Sequence, residues 1–296
     1  MKIALMDSGI GLLAAAGAVR RLCPEADLVL SSDPDGMPWG PRSPRDVTER
    51  ALVVARAAAQ HRPDALIVAC NTASVHALPA LRAELEPRLP VIGTVPAIKP
   101  AAAGGVPFAI WATPATTGSP YQRGLIREFA ASAEVTEVPC PGLADAVENA
   151  DEAAIDRAVA AAAALTPREV RVVVLGCTHY ELVAERIRTA LGHRGLSAIV
   201  LHGSAGAVAA QALRRIGGVR AIAAGAAEGA EGLGPASVAQ GAVGVNVPEN
   251  GPLGGPFTGR LAGRLTVLLG GRESALPEPA LAYAEGRLLA AVSQVH

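Results

Sequence analysis

The feature that most constrains the fold is a repeated alternation of short apolar runs with longer segments of helical periodicity. The runs are continuously apolar, which is typical of parallel strands covered on both faces of a sheet. This pattern predicts an α/β fold. The predicted strands are Ile3–Met6, Asp27–Leu30, Ala65–Ala69, Val91–Ile92, Ala109–Trp111, Glu134–Val138, Val172–Leu175 and Ala198–Leu201.

The segments between the strands predict helices, because their apolar residues recur at helical spacing. The predicted helices include Pro44–Gln60, Val75–Leu85, Ser119–Ala131, Ala153–Leu165 and Glu181–Leu191. Residues 217–256 are rich in glycine and alanine and are expected to form a loop region. A proline-containing linker from Arg272 and a short amphipathic helix near Leu281–Val292 are expected to follow.

A weak internal repeat relates two parts of the chain. The first part contains IALMDSG at 3–9 and LIVACNT at 66–72, and the second contains FAIWATP at 108–114 and VVLGCTH at 173–179. Asp7 precedes Cys70 by 63 residues, and Thr113 precedes Cys177 by 64. Any two α/β domains share such strands, so the repeat alone leaves unrelated domains as an alternative.

The repeat favours two similar doubly wound parallel-sheet domains related by a pseudo-twofold axis, with the active site in the cleft between them. Ligands of open α/β sheets bind at the carboxyl ends of the strands. The predicted boundaries are 1–97 plus about 207–271 for the first domain, 98–206 for the second, and 272–296 for a C-terminal extension.

Composition and charge exclude several classes of protein. The formal net charge is −1 and the basic residues are scattered, so no nucleic-acid partner is expected. The N-terminal segment resembles a signal peptide, but Asp7 interrupts its apolar stretch, and no apolar run approaches the ~20 residues that span a bilayer. Four cysteines without a secretion signal indicate free thiols in a reducing cytoplasm. The chain is therefore expected to be cytoplasmic, with no membrane contact.

Two cysteines occupy matched places in the repeat. Cys70 and Cys177 each follow an apolar run and precede small polar residues, which places them at the end of a strand and the start of a helix. A helix N-terminus favours a thiolate and lowers the thiol pKa. Either cysteine alone is equally well explained as a small buried apolar residue. Their matched positions favour chemistry at both.

The remaining cysteines and motifs give weaker signals. Cys23 and Cys140 are interpreted as packing residues, and no spacing typical of a metal site occurs. Asp7 lies at the end of the first strand, where it holds a substrate ammonium, orients a thiol or caps the next helix. The segment Pro38-Trp39-Gly40 is either a plain turn or a backbone contact for a substrate carboxylate.

Cofactor chemistry has little support in the sequence. The chain has no G-x-G-x-x-G motif for dinucleotide binding after its first strand. Its only lysines are Lys2 and Lys99, so a Schiff-base residue for pyridoxal phosphate is hardly available. No cofactor and no metal are expected.

Six motifs together resemble the glutamate racemases, members of the cofactor-independent aspartate/glutamate racemase superfamily. They are DSGIG at 7–11, PWGPRS at 38–43, VACNTAS at 68–74, VPAIKPA at 95–101, the AT-x-x-T pattern at 112–116 and LGCTHY at 175–180. The resemblance runs from about residue 2 to 210 and resumes weakly at 256–270. It implies interconversion of L- and D-glutamate by proton transfer at Cα, supplying D-glutamate for peptidoglycan synthesis, in a homodimer.

The resemblance also implies roles for individual residues. Cys70 and Cys177 are the acid/base pair, with Asp7 and His179 assisting and Glu148 as a supporting carboxylate. The residues implied to hold the substrate are Ser8, Trp39, Gly40, Asn71, Thr72, Thr113, Thr116 and Thr178, with Pro38 in the same turn as Trp39. The chain departs from the family pattern at four places. It has Trp39 where the family usually has tyrosine, Glu181 where it has proline, and Gly203 where it has aspartate, and the loop 33–36 is unusual for the family.

These departures leave alternatives open. One is a racemase of another acid, such as aspartate or a hydantoin- or malonate-type acid. Another is a non-catalytic regulatory protein that keeps the fold. A third is a thiol hydrolase, although that chemistry needs one nucleophilic cysteine and leaves the second unexplained.

Overall fold

Two sheets form the frame of the protein in a computed structural model that describes residues 1–192, 198–228 and 263–293. The strands of the first sheet are β1 Lys2–Asp7, β2 Asp27–Ser32, β3 Ala65–Val68, β4 Val91–Gly93, β9 Leu265–Leu269 and β10 Arg272–Ser274. Those of the second are β5 Phe108–Ala112, β6 Val135–Pro139, β7 Val172–Leu175 and β8 Val200–His202. Their orders are β10-β9-β2-β1-β3-β4 and β6-β5-β7-β8. All pairs are parallel except β9 with β10.

The repeat read from the sequence is a repeat of topology. β1 lies between β2 and β3, with β4 beyond β3, and β5 lies between β6 and β7, with β8 beyond β7. The register also corresponds, since Ala69 N donates to Met6 O at 2.8 Å and Gly176 N donates to Trp111 O at 2.7 Å. The donor residue of each hydrogen bond, Ala69 or Gly176, comes directly before one of the two matched cysteines. The α/β fold of two parallel-sheet domains is therefore confirmed.

Helices cover the sheets. They are α1 Leu12–Leu22, α2 Pro44–Gln60, α3 Asn71–His76, α4 Leu78–Leu85, α5 Ile98–Ala103, α6 Pro120–Phe129, α7 Leu143–Glu148, α8 Glu152–Leu165, α9 Thr178–Glu181, α10 Ala184–Gly192, α11 Ala205–Glu228 and α12 Ala284–Ser293, with a 3-10 helix at Glu278–Ala282. Ser43, Ser119 and Asp151 cap α2, α6 and α8 by accepting a backbone N–H from the first turn. None of the helices in these described ranges is long and apolar enough to cross a membrane.

The core explains why the strands are continuously apolar. Along β1, Ile3 and Leu5 belong to one buried cluster, whereas Ala4 and Met6 belong to another. Both faces of this strand are thus covered, as expected for a parallel sheet. The cluster that contains Leu5 also contains Trp111 and Leu175, so it extends across both sheets.

The eight predicted strands are all present, with bounds that differ by at most two residues. The prediction of one helix at 75–85 is wrong, because α3 begins at Asn71 and Ala77 separates it from α4. The helix predicted from Glu181 begins at Ala184 instead. The C-terminal amphipathic helix is present as α12.

The sequence pattern does not predict β9 and β10. β10 is a polar RES segment without an apolar run, and β9 is an apolar run with no predicted helix directly after it, so neither shows the alternation of strands and helices on which the prediction rests. The prediction that a linker begins at Arg272 is wrong, because Arg272 pairs with Leu269 in a hairpin of the first sheet. Residues 217–228, expected to be loop, belong to α11. The rest of that predicted loop, 229–256, lies outside the described residues.

Candidate active site

A cavity of about 270 Å³ lies where the carboxyl ends of β1, β3, β5 and β7 meet. Its lining contains every predicted site residue except Glu148. The residues lining it are Asp7, Ser8, Met37, Pro38, Trp39, Gly40, Pro41, Cys70, Asn71, Thr72, Thr113, Pro114, Ala115, Thr116, Cys140, Pro141, Gly142, Ala144, Asp145, Gly176, Cys177, Thr178 and His179. The two sheets thus contribute opposite walls of one cavity.

The two matched cysteines have nearly the same backbone conformation. Cys70 precedes α3 with φ −142° and ψ 121°, and Cys177 precedes α9 with φ −139° and ψ 136°. Each is the extended residue that joins a strand to a helix. Both thiols line the cavity, one from each sheet, and all four cysteines of the chain are free.

The surroundings of Cys70 keep its proton on sulfur. Burial raises the pKa of the Cys70 thiol well above its ordinary value, and the negative charge and hydrogen bond of Asp7 raise it further. The expectation that a helix N-terminus lowers this pKa is therefore wrong. The reason is that Cys70 is 5% exposed and has a carboxylate as its neighbour.

Asp7 is completely buried beside this thiol. Burial raises the pKa of Asp7 to about 6, although His179 and the hydrogen bond with Cys70 oppose the increase. Its Oδ1 accepts the Ser8 N–H at 2.7 Å, and its Oδ2 accepts the Thr178 hydroxyl at 3.4 Å. Asp7 does not cap α1, whose N-terminus has no side-chain hydrogen bond. Its carboxylate therefore contacts residues of both walls, Cys70 and Thr178.

A second group of side chains surrounds Cys177. The Cys177 Sγ lies 3.8 Å from His179 Nδ1, and His179 Nε2 lies 2.9 Å from Glu148 Oε2. Burial by itself lowers the pKa of His179, but the hydrogen bonds with Cys177 and Glu148 outweigh burial and raise it well above its ordinary value. Glu148 lies behind the imidazole and supports it from outside the cavity.

Glycine at position 11 allows these side chains to come together. A Cβ placed on Gly11 would overlap the Asp7 carboxylate and would lie 2.6 Å from both His179 Nδ1 and Thr178 Oγ1. Atoms at that distance clash. The DSGIG motif thus has a glycine, with no side chain, at the point where Thr178 and His179 of the second domain pack against the first domain.

Asn71 links the two walls. Its Nδ2 donates to Gly176 O at 3.1 Å, one residue before Cys177. Its Oδ1 is buried and has no hydrogen-bond partner in the described parts of the chain. A buried amide oxygen without a partner is costly in a folded protein. This oxygen is therefore available to a donor on a bound molecule.

The polar lining combines hydroxyl groups with the carboxylates of Asp7 and Asp145 and the imidazole of His179. Hydroxyls come from Ser8, Thr72, Thr113, Thr116 and Thr178, and the lining includes no lysine or arginine. Thr113 and Thr116 hydrogen-bond to each other at 3.2 Å. Across the described ranges, no group of three or more His, Cys, Asp or Glu side chains has an arrangement that could hold a metal ion.

Comparison with known proteins gives consistent results. Residues 14–212 match the Asp/Glu/Hydantoin racemase family. The chain belongs to this racemase family. It is 37% identical to a glutamate racemase of Sphingopyxis alaskensis, over 67% of this chain and 76% of that protein.

Solved structures support the fold of the racemase. A crystal structure of Escherichia coli glutamate racemase in complex with L-glutamate and the activator UDP-MurNAc-Ala matches 73% of this chain and 82% of that one, with 29% identity and a TM-score of 0.66. A glutamate racemase of Francisella tularensis in complex with D-glutamate matches 100% of this chain and 95% of that one. Its TM-score is 0.67 and its identity 18%, so it supports the fold alone.

Two departures of this racemase from its family pattern form one structural feature. The Glu181 carboxylate accepts Ser204 N and Ser204 Oγ, both at 2.8 Å, and Ala205 N at 3.3 Å. It thereby caps the N-terminus of α11 from a distant position in the sequence. A Cβ on Gly203 would overlap this carboxylate. The Glu181 carboxylate can therefore occupy this place only because residue 203 has no side chain.

The sequence pattern misses two polar side chains of the racemase cavity, Cys140 and Asp145. Cys140 follows β6 directly, whereas Cys70 and Cys177 each lie one residue further beyond the end of their strands. This position at a strand end is the signal that could have identified it. Burial raises the pKa of Cys140 to about 12, and its thiol donates to Val138 O at 3.6 Å. Cys140 is thus a cavity residue with an inert thiol.

Proposed function

We propose that this chain is a cofactor-independent glutamate racemase that interconverts L- and D-glutamate and supplies D-glutamate for peptidoglycan synthesis. The observation that carries the proposal is the matched pair of cysteines. Cys70 and Cys177 reach one cavity from two sheets through the same strand-to-helix junction. Racemisation needs a base on one face of Cα and an acid on the other, and two facing thiols meet that need.

The lining suits an amino acid with a carboxylate side chain. Neutral hydroxyl, amide and backbone donors bind its carboxylates, as they bind oxyanions elsewhere. The buried Asn71 Oδ1 and the Asp7 carboxylate accept the α-ammonium group. The 37% identity to a glutamate racemase, over most of that protein's length, favours glutamate over other acids.

Proton transfer follows from these positions. In one direction the Cys70 thiolate takes the Cα proton, and the Cys177 thiol gives its proton to the opposite face. In the other direction the two thiols exchange these roles. Cys70 deprotonates D-glutamate and Cys177 deprotonates L-glutamate, as the family resemblance implies. A bound ammonium group beside Cys70 lowers the pKa of that thiol, because a nearby positive charge favours the thiolate.

The supporting residues set the charge around each thiol. Asp7 accepts the hydrogen bond of Cys70, and His179 contacts Cys177 with Glu148 behind it. Hydrogen bonds to the α-carboxylate stabilise the developing negative charge by about 3–4 kcal/mol for each well-placed donor. Thr72 and one hydroxyl of the hydrogen-bonded pair Thr113 and Thr116 are in position to donate. The hydroxyls of Ser8 and Thr178 donate to Asp7, so they reach a substrate only after rotation.

The test is exchange of the α-proton in D2O, followed by proton NMR, together with inversion of optical rotation. L- and D-glutamate are compared with aspartate, a hydantoin and an alkylmalonate. We expect exchange with inversion for glutamate, and a loss of at least about 10²-fold in Cys70→Ser and in Cys177→Ser. Cys140→Ala is the matched control, because its buried thiol lines the same cavity. Near wild-type turnover in either serine variant, or no exchange with any acid, would contradict the proposal.

We also propose the domain boundaries, the cellular location and the oligomeric state of this chain. The division into domains at 1–97 plus about 207–271 and 98–206, with an extension at 272–296, is supported for β1 to β9 by the sheet to which each of these strands belongs. The strand β10, at 272–274, pairs with β9 and therefore moves the start of the extension to about 275. A cytoplasmic location is supported by four free cysteines. A homodimer is proposed from the family resemblance, and sedimentation velocity tests it.

A further inference from the structure

The carboxylate of Asp33 collects three hydrogen bonds immediately after β2. Its Oδ1 accepts Gly36 N at 3.1 Å, and its Oδ2 accepts Trp39 Nε1 at 2.9 Å and Arg50 Nη1 at 3.0 Å. Asp33 is 9% exposed, so these partners replace water. The backbone N–H of Asp33 donates to Ser8 O at 3.2 Å, next to Asp7. Asp33 therefore connects α2 with a loop that lines the cavity.

Helix α2 holds this loop through a chain of ion pairs. Arg50 also contacts Asp46 at 3.2 Å, and Asp46 contacts Arg42 at 2.8 Å. Arg42 Nε then donates to Gly36 O at 2.6 Å, which returns the chain to the loop. The loop is thus tied to α2 through both Arg50 and Arg42.

Trp39 connects the hydrogen bonds of Asp33 to the wall of the cavity. Its side chain is 1% exposed and shares a buried cluster with Val47 and Ala51 of α2. The indole N–H is its single polar group, and a buried donor needs an acceptor, which Asp33 supplies. Gly40, the next residue, faces the other wall, because a Cβ placed there would lie 3.9 Å from Ala115 Cβ and 4.0 Å from Thr113 Oγ1.

We propose that Asp33 and Arg50 are positioning residues that fix the indole of Trp39 and, through it, the substrate-holding turn Pro38–Gly40. The inference rests on the proposed function for its kinetic consequence, whereas the anchoring of the indole does not depend on it. It also accounts for tryptophan at position 39, since the Asp33 carboxylate fits an indole N–H donor.

Arg50 has a second effect because the proposed substrate is a dicarboxylate. Without Arg50, the Asp33 carboxylate behind Trp39 is left without its ionic partner at the wall of the cavity. An uncompensated negative charge at this place disfavours an anionic substrate. Loss of Arg50 therefore weakens binding both through the position of the turn and through charge repulsion, and salt reduces the second part.

The anchor is tested without substrate by ¹⁵N–¹H NMR of the full chain. The chain has two tryptophans, so the spectrum contains two indole N–H signals, and Trp111, whose Nε1 donates to Thr166 Oγ1 at 2.9 Å, is an internal reference. In Asp33→Asn and Arg50→Gln we expect the Trp39 signal to shift and its exchange with D2O to accelerate at least about tenfold. The Trp111 signal should remain in place.

Arg56→Gln is the matched control. Arg56 lies on the same helix and pairs with Glu84 at 2.6 Å on the exposed side, away from the cavity. It should change neither the indole signal nor the kinetics. Trp39→Phe removes the indole N–H donor but keeps an aromatic ring. It serves in the kinetic measurements, and Arg50→Gln is the second variant for the NMR measurement if Asp33→Asn fails to fold.

The kinetic arm uses L- and D-glutamate. In Arg50→Gln and Trp39→Phe we expect KM to rise about tenfold with kcat nearly unchanged, because uniform substrate binding is lost. Added salt should reduce the increase in Arg50→Gln but not in Trp39→Phe. An unchanged indole signal in Asp33→Asn and Arg50→Gln, or a fall in kcat at constant KM, overturns the inference. Wild-type protein without glutamate turnover contradicts the proposed function, and the NMR result then still decides the anchor.

Discussion

His179 Nε2 lies 2.9 Å from Glu148 Oε2, and the same carboxylate oxygen accepts the backbone N–H of Ile10 at 2.8 Å. Glu148 ends α7 in the second domain, whereas Ile10 lies in the turn after β1 in the first. One carboxylate oxygen therefore joins the two domains and supports the imidazole beside Cys177.

Glu148→Gln should narrow the pH range of racemisation. Glutamine can still accept the Ile10 N–H, but it removes the negative charge that helps to raise the pKa of His179. The pKa of His179 therefore falls, because burial is opposed by one favourable partner fewer, and the imidazolium is lost at lower pH. We expect the alkaline limb of kcat to move to lower pH, with a loss of about tenfold per unit of pKa change. A pH profile identical to wild type would contradict the assigned role.

Asp7→Asn should alter the dependence of stability on pH. Burial raises the pKa of Asp7 from 3.8 to about 6, so between these values the folded protein keeps a proton that the unfolded chain releases. The free energy of unfolding of the wild type therefore falls as pH rises through this window, by about 3 kcal/mol. Asparagine does not titrate, so the variant gains stability relative to wild type from pH 4 to 7.

Urea unfolding at several pH values measures this difference, and racemisation should fall in the same variant. Asp35→Asn, at an exposed carboxylate of the loop before Trp39, is the control. If the stability of Asp7→Asn follows the wild-type curve across the window, the buried carboxylate does not carry the pH dependence.

Gly11→Ala should abolish most activity while the protein remains folded. The added methyl group overlaps Asp7 and approaches His179 and Thr178, so the two domains must move apart at the catalytic residues. A misplacement of about 1 Å can reduce a rate by about 10²-fold. The matched control is Gly206→Ala in α11, where the added Cβ has no atom within 4 Å outside its own stretch of helix among the described residues. Equal turnover in the two variants would show that the close approach at Gly11 is not required.

Glu181 and Gly203 should behave as a coupled pair in thermal unfolding. Glu181→Ala removes the cap of α11 and should cost about 0.5–2 kcal/mol. Gly203→Asp alone should also destabilise, because its side chain overlaps Glu181. In the double variant the new aspartate has room to cap α11, so the double loss should be smaller than the sum of the single losses. Additive losses would mean that the two positions act independently.

Much of the site could be predicted because its residues lie at strand ends. Cys70, Asn71 and Thr72 follow β3, and Cys177, Thr178 and His179 follow β7, so the alternation of strands and helices alone places them at one edge of each sheet. The roles assigned to Glu148 and to the threonines of 113–116 came instead from resemblance to known racemases. No local pattern marks Glu148, which acts through contacts with residues 138 and 31 positions away.

The sequence by itself determined the alternation of strands and helices, the repeat, and the matched cysteines, because these depend on local periodicity and on short motifs. Tertiary structure decided the protonation of the Cys70 thiol. The local rule predicts a lowered thiol pKa at a helix start, whereas burial beside Asp7 raises the pKa of Cys70. Tertiary structure also decided that Glu181 caps α11, that β9 extends the first sheet and that Asp33 accepts the indole N–H of Trp39. Burial and long-range contacts form only when distant segments pack, so no short window of sequence contains them.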